Sequence, residues 1–412
     1  MSTFPGYIPE LPGIGIDRFD ETVRDRANVF FLSHCHLDHM YGLSPNHPLP
    51  GTLYVSPHSA VIVGFRYPNQ AVYKVPIRER LTLSVTPPTG EDRYELCVRT
   101  IPAEHCPGSV MFYFETKTIR LLYTGDFRLS AESLAVIEQD QIRPTIVYLD
   151  TTFLEQDYTY FPTRQESMNR IRTICSQWLD ADRRNIVTLW LPALYGSEEL
   201  FHQLYLHLRE RIHVYAAQRE TYQHFETLRD VFTDDALGAR IHACNGVTLQ
   251  GEMVCRKQEH NASFILTIRP SARRWRHLQR DQPFWLECSK QLWFVCYSSH
   301  ASSSELIEFL RKLQPEARDI RFSVVGDEID RMRKEEYLSS LLPTTVEERL
   351  FDEEVVGGEE GETMLTLPYN DFSAGTRTDK QLTTTTDRMQ FDSEEETDEE
   401  TLAPPCKMVK RC

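Results

Sequence analysis

The sequence predicts an α/β protein with a second α/β unit set inside the first and an acidic tail behind both. Three observations support this. Short apolar runs that end in polar motifs fill the first ~150 residues ("NVFFLSH", "SVMFYFET", "IRLLYTGD", "TIVYLD"), as strands of a sheet that carries chemistry at its ends. From Thr163 the pattern changes to helix, because "TRQE" is a capping box and Met168, Ile171, Ile174, Cys175 and Trp178 follow at helical spacing. Beyond about residue 343 the chain turns to Glu, Asp, Thr and Gly, with "TTTTD" and "DSEEETDEE", and too little apolar surface to offset the entropy of ordering.

The second unit continues with a strand in "NIVTLWLP", a turn at Gly196 and a helix over "SEELFHQLYLHL", with Leu200, Leu204 and Leu208 on one face. A strand "LWFVCYSS", a helix "SSELIEFLRKL" opened by the Ser302 to Glu305 capping box, and a strand "IRFSVVG" then return to the style of the first unit. The expected boundaries are 1–157, 158–291, 292–343 and a tail over 344–412.

No apolar run approaches the ~20 residues of a membrane span, and the start "MSTFPGYIPELPG" has no signal-peptide character, so an intracellular protein is expected. The ten cysteines are scattered, which favours free thiols or metal ligands over a disulfide framework. Residues 345–412 carry 18 acidic and 7 basic side chains, a net −11 of the chain's −16. That leaves −5 for residues 1–344, and this body contains a basic patch suited to phosphates: Arg269, Arg273, Arg274, Arg276 and Arg280 around Trp275. A solvated arginine-rich loop is the plain alternative.

The densest chemistry is in "HCHLDH". If that segment is extended, His34 and His36 point the same way, while Asp38 and His39 fall on the following turn and face from another side. Imidazoles with carboxylates and no thiolate suit a catalytic site for zinc or another divalent metal. Further candidates stand at strand ends downstream: His105 in "PAEHCPGS", Asp126 in "YTGDFR" and His300 in "YSSHASS". His213, His242, Cys244 and Cys255 have the composition of a structural zinc site, with buried unliganded cysteines as the alternative. Cys35 and Cys106 alternate away from the ligands and read as packed small residues.

These motifs resemble the metallo-β-lactamase superfamily. With "GIDRFD", "PAEHCPGSVMF", "LLYTGDFRL", "YLDTTF" and the long interval between Asp126 and His300, residues 13 to 340 resemble its β-CASP, DNA cross-link repair nuclease branch. The resemblance implies an αββα sandwich with an inserted α/β β-CASP domain. By position, His34, His36 and His105 would bind a first metal, Asp38, His39 and His300 a second, and Asp126 would bridge them. Asp17 would buttress the site, Asp150 would be the acidic β-CASP residue, and Asp38, Asp150 and His300 would be catalytic. Zinc is implied in the first position, with zinc, magnesium or manganese in the second, and a further structural zinc on His213, His242, Cys244 and Cys255.

The implied activity is metal-dependent cleavage of DNA ends, hairpins and overhangs, as a 5′-3′ exonuclease and structure-selective endonuclease, in end joining and cross-link repair in the nucleus. The arginine patch would hold DNA backbone, with Trp275 to stack on an unpaired base. Ser33, Ser109 and the Gly196 turn are further phosphate contacts to weigh against local capping. Relatives tend to have a lysine after this glycine, where Ser197 and Glu198 stand here, which favours an endonuclease tolerant of varied ends. The tail suits contacts with a DNA-dependent protein kinase or an end-joining ligase complex, and Ser393 before "EEE" suits an acidophilic kinase; the basic end "KMVKRC" is a weak nuclear-import signal. The alternatives are an RNA-processing β-CASP nuclease, a small-molecule hydrolase and a non-catalytic repair scaffold.

Overall fold

A computed structural model describes residues 2–191, 195–244, 255, 262–315 and 319–342. The segment 344–412, including Ser393 and "KMVKRC", lies outside the described residues. Among those described, strands β1 (Gly13–Ile16), β2 (Ala27–Leu32), β3 (Thr52–Val55) and β4 (Val72–Lys74) form a parallel sheet in that order. Helix α1 (Glu21–Arg24), capped by Asp20, and helix α2 (Pro57–Arg66), capped by Ser56 with proline at its start, cover one face through Val23, Ala60, Ile62 and Val63.

A second sheet follows. Strands β5 (Arg80–Val85), β6 (Tyr94–Pro102), β7 (Val110–Glu115) and β8 (Arg120–Tyr123) run antiparallel to their neighbours, and β9 (Ile146–Leu149) lies parallel to β8. Strand β7 reads "VMFYFE" because both its faces are buried. Val110, Phe112 and Phe114 meet Phe31 of the first sheet, while Met111 and Tyr113 face helices on the other side. Phe112 and Phe114 each lie with ring centroids 5.0 Å from that of Phe31, edge to face, and burying each ring contributes roughly 1.5–3 kcal/mol.

After helix α3 (Ala131–Gln139), the inserted unit opens with α4 (Arg164–Ala181), whose Thr163–Glu166 capping box is formed. It continues through β10 (Ile186–Leu189), α5 (Glu198–Leu208), β11 (Ile212–His213), α6 (Ala216–Tyr222), β12 (Phe232–Thr233), β13 (Ile241–His242), β14 (Ile265–Ser271), β15 (Trp285–Ser289) and β16 (Leu292–Cys296). These strands form one sheet in the order β12-β11-β13-β10-β14-β16-β15, parallel except for the β15–β16 pair. The sheet corrects one boundary. Strand β16 pairs with β14 from Thr267↔Leu292 to Ser271↔Cys296, so Leu292–Cys296 belongs to the insertion and the chain returns to the first unit only after it.

Helix α7 (Ser303–Leu313), with its Ser302–Glu305 capping box formed, then β17 (Ile320–Phe322) and α8 (Glu328–Leu341) complete the body. Strand β17 adds to the edge of the second sheet beside β9. Ile137 of α3, Leu306, Phe309 and Leu310 of α7, and Leu338 of α8 pack on the face of that sheet turned away from the first. The layers are therefore helices, sheet, sheet, helices, the expected αββα sandwich, and the core under α2 runs on into the insertion through Ile171, Leu204, Ile268 and Val295.

Arg128 joins the parts. Its buried guanidinium donates to Glu305 Oε1 and to the carbonyls of Ser298 and Pro162, which ties the loop after β8 to both ends of the insertion. Cys35, Cys97, Cys106, Cys175, Cys244, Cys255 and Cys296 are free thiols, while Cys288 is disulfide-bonded, an exception to the expected free thiols. No helix among the described residues is long and apolar enough to cross a membrane.

Candidate metal centre

The residues singled out in the sequence come together at the carboxy ends of strands. Asp17 follows β1, the "HCHLDH" loop follows β2, His105 follows β6, Asp126 follows β8, Asp150 follows β9 and His300 follows β16. Parallel strands aim these loops into one crevice, the usual location of chemistry in α/β folds.

Hydrogen bonds on the far side of each ring fix which nitrogen carries the proton. His36 Nε2 lies 2.8 Å from the Tyr195 carbonyl and His105 Nδ1 lies 3.0 Å from the Ser299 carbonyl. His39 Nδ1 is 2.9 Å from Asp17 Oδ2. A carbonyl or carboxylate only accepts, so these three nitrogens donate. Ser33 Oγ gives its hydrogen to Asp17 Oδ2 at 2.5 Å and so accepts from His34 Nδ1 at 2.9 Å.

What remains are His34 Nε2, His36 Nδ1 and His105 Nε2, three bare nitrogens facing a space that His39 Nε2 also borders. His36 Nδ1 is 3.0 Å from both His34 Nε2 and His105 Nε2, with no proton left to place between them. Asp126 Oδ2 stands 3.7 Å from His34 Nε2, 3.7 Å from His105 Nε2, 3.3 Å from His39 Nε2 and 4.0 Å from His300 Nε2. His39 Nε2 is buried and makes no hydrogen bond. Converging lone pairs around a carboxylate repel one another unless a cation sits among them, so the donor set fits divalent metal.

The electrostatics separate three of these rings from His39. Burial, reinforced by neighbouring histidines, holds His34 and His105 well below the ordinary imidazole range, and burial also lowers His36, so these rings are neutral and ready to ligate. Burial opposes charge on His39 too, but Asp126, Asp38 and Asp17 outweigh it and raise His39. Asp126 is held well below the usual carboxylate range by His39 and His300 against the opposing effect of burial.

Two sides can be distinguished. His34, His36, His105 and Asp126 offer ligand atoms within 4.8 Å of one another, and so do Asp126, Asp150 and His300. Asp38 Oδ2, 3.8 Å from His39 Nε2, accepts from the Ser2 amide at 3.0 Å. Asp150 Oδ2 lies 2.7 Å from His300 Nδ1 and directs His300 Nε2 to the centre, while its Oδ1 accepts from the Thr152 amide and hydroxyl at 3.0 and 2.6 Å. Asp17 accepts from the Ser33 amide, the Ser33 hydroxyl, His39 and the Tyr123 hydroxyl, and is buried at φ +54°.

The serines and the Gly196 turn do other work than contacting phosphate. Ser33 bridges Asp17 and His34, and Ser109 Oγ accepts from the amides of His105 and Cys106. The Gly196 amide is already taken by Glu198 Oε2 at 2.8 Å. The orienting carbonyls of Tyr195 and Ser299, together with Tyr123 and Thr152, were not identified from the sequence. Backbone acceptors carry no residue signature, and Tyr123 reads as an ordinary strand residue.

A second cluster gathers His213, His242, Cys244 and Cys255, again within 4.8 Å. His213 and His242 are register partners on β11 and β13. His242 Nε2 bonds the Ala239 carbonyl at 3.1 Å, which turns Nδ1 toward Cys255 Sγ at 3.5 Å, and His213 Nδ1 is buried without a partner. Hydrogen bonds from Cys244, then His213 and His242, pull the Cys255 thiol down toward thiolate despite its burial.

The arginine patch borders the His300 side of the centre. Phe153, whose ring centroid is 6.1 Å from that of His300, shares a small core with Tyr158, Phe161, Leu278 and the half-buried Trp275. Arg273, Arg276 and Arg280 are exposed. Arg269 stacks on Trp190 at 4.1 Å, Arg274 on Phe294 at 4.1 Å and Arg280 on Tyr160 at 5.3 Å, while Arg276 donates to the Tyr158 hydroxyl.

A layered αββα sandwich with a His- and Asp-lined metal centre at its strand ends defines a metallo-β-lactamase-fold metal-binding protein. Comparison with known proteins narrows this. Residues 226–318 match the family described as DNA repair metallo-beta-lactamase. The chain is 31% identical over 339 residues to protein artemis of Homo sapiens, which covers 76% of this chain and 48% of the relative. It is 31% identical over 340 residues to protein artemis of Danio rerio (76% and 52%), and 32% identical over 312 residues to 5′ exonuclease Apollo of Mus musculus (75% and 53%). The chain thus spans about half the length of these curated relatives. Over about three quarters of its length the chain is thus similar to Artemis and Apollo, and part of it matches a DNA repair metallo-beta-lactamase family.

Proposed function

We propose that this protein is a metal-dependent DNA nuclease, a hydrolase acting as a 5′-3′ exonuclease and as a structure-selective endonuclease on hairpins and overhangs, in double-strand-break repair by end joining and in cross-link repair. The observation that carries this reading is the convergence of three unprotonated histidine nitrogens and of His39 Nε2 on Asp126, with His300 and Asp38 to one side. His34, His36, His105 and Asp126 hold zinc, and Asp38, His39, His300 and Asp126 hold a second zinc, magnesium or manganese. When bound, such a metal pair supplies Lewis acidity for hydrolysis of a phosphodiester.

The chain's own residues supply position. Asp38, partly exposed at the mouth, orients the attacking water, and Asp150 keeps His300 aimed inward. Arg273, Arg276 and Arg280 hold backbone phosphates beside the centre without reading sequence, and Arg269, Arg274 and Trp275 brace that surface through aromatic contacts. His213, His242, Cys244 and Cys255 bind a structural zinc that ties β11 and β13 together. The protein acts in the nucleus, and segment 344–412 recruits a DNA-dependent protein kinase and an end-joining ligase complex.

The test is to incubate the protein and divalent metal with end-labelled DNA hairpin, blunt DNA duplex and single-stranded RNA. Hairpin opening and end trimming of DNA are expected. Cutting of RNA alone would replace this reading with an RNA-processing nuclease, and no cutting of any substrate would leave a scaffold.

A further inference from the structure

Glu198 is buried in the insertion at the first turn of α5, where burial raises its carboxyl above the ordinary range. Among the described residues no cation pairs with it. Its two oxygens are both occupied: Oε2 accepts from the Gly196 amide at 2.8 Å, and Oε1 accepts from the Tyr222 hydroxyl at 2.7 Å. A buried carboxylate held this way is costly unless the bonds it makes fix something of value.

What it fixes is a turn against a metal ligand. Gly196 has φ +109°, and a Cβ there would stand 2.6 Å from His36 Nε2, so only glycine lets the backbone come this close. The residue before it presents the carbonyl that takes the His36 Nε2 proton at 2.8 Å. The Tyr195 side chain is anchored in turn, its hydroxyl 3.1 Å from Thr221 Oγ1 of α6. Glu198 thus clamps the Tyr195–Gly196 peptide from one side while α6 holds it through Tyr222 and Thr221 from the other.

We propose that Glu198 is a positioning residue for the metal centre: through the Gly196 amide it holds the Tyr195 carbonyl that sets the tautomer and orientation of His36. The insertion is then part of the first metal site as well as a nucleic-acid surface. A turn that drifts would let His36 rotate or take up its other tautomer and withdraw Nδ1 from the ligand set. The inference rests on the metal-binding reading of His34, His36 and His105.

The experiment loads metal-free full-length protein with cobalt(II) and follows visible absorption and affinity by chelator competition. Thiolate charge-transfer absorption separates the cysteine-containing site from the nitrogen and oxygen site. The variants are Glu198→Ala and Glu198→Gln, with thermal unfolding of the metal-free forms alongside. Glu198→Ala is expected to weaken cobalt at the nitrogen and oxygen site by about 10–100-fold and to alter its spectrum, leaving the thiolate band unchanged. Glu198→Gln, which still accepts from the Gly196 amide, is expected to restore most of that affinity. Wild-type affinity and spectrum in Glu198→Ala would overturn the proposal, as would equal losses in both variants that merely track their thermal stability. Failure of the wild-type protein itself to bind cobalt at that site would instead overturn the metal-binding reading, and this inference with it.

Discussion

Replacing Asp17 by asparagine separates the support of the metal centre from its ligands. The exchange keeps the shape, and asparagine tolerates the φ of +54° found there, so the backbone is not disturbed. The carboxylate now accepts four hydrogen bonds: Oδ1 from the Ser33 amide at 2.7 Å, and Oδ2 from the Ser33 hydroxyl, His39 Nδ1 and the Tyr123 hydroxyl at 2.5, 2.9 and 3.0 Å. An amide has one acceptor oxygen. Its better orientation points that oxygen at the three donors and turns the NH₂ toward the Ser33 amide, leaving a buried donor unsatisfied at a cost of about 1–3 kcal/mol. His39 and Ser33 also lose a charged acceptor, and loss of such support weakens metal binding by about 10–100-fold. Chelator competition with the purified protein should show that loss mainly at the site His39 serves, and denaturant unfolding of the metal-free form should show the stability cost. Asp17→Asn binding both metals with wild-type affinity would refute the assignment of Asp17 as the support of His39.

Other substitutions test other parts. Arg128→Met removes the partner of Glu305 and the buried donor to the Ser298 and Pro162 carbonyls, and denaturant titration should find it less stable by about 1–3 kcal/mol. His58 lies stacked on Phe225 and burial lowers it to about 4 from an ordinary 6.5. The unfolded chain therefore binds a proton first as pH falls, so stability is lost between pH 6.5 and 4, by up to about 3 kcal/mol. His58→Phe should flatten that part of the stability-pH curve, and an unchanged acid slope would count against the burial argument. Cys244→Ser should lower the metal content by about one ion per chain, read by elemental analysis, while DNA cleavage persists in the folded fraction.

The residues that gather at the centre were legible in the sequence because chemistry at strand ends leaves a local signature: "HCHLDH" after an apolar run, "TGD" after another. Their orienting partners were not. His36 bonds a carbonyl at residue 195 and His105 one at residue 299, and any residue type can supply a carbonyl. The same distance in sequence hid the true end of the insertion. "LWFVC" announces a strand, but its pairing with β14 and not with the first unit is a tertiary fact. Helix α4 was readable from its capping box, whereas α8 buries only Lys334 and Leu338 and so shows no apolar stripe. For the two serines the sequence leaves phosphate contact and local capping open, and the structure engages Ser33 with Asp17 and His34 and has Ser109 cap the His105 and Cys106 amides.

If this centre cuts DNA through metal held by Asp38 and its neighbours, cleavage must depend on both the metal and the Asp38 carboxylate. The direct measurement compares wild-type protein with Asp38→Asn on an end-labelled DNA hairpin, each stripped of metal and then reloaded, with DNA binding and unfolding measured in parallel. Wild type is expected to cleave only after metal is restored, and Asp38→Asn not above background although it folds and binds the hairpin. Cleavage by Asp38→Asn at the wild-type rate, or by wild type in excess chelator, would rule out metal-dependent cleavage at this centre.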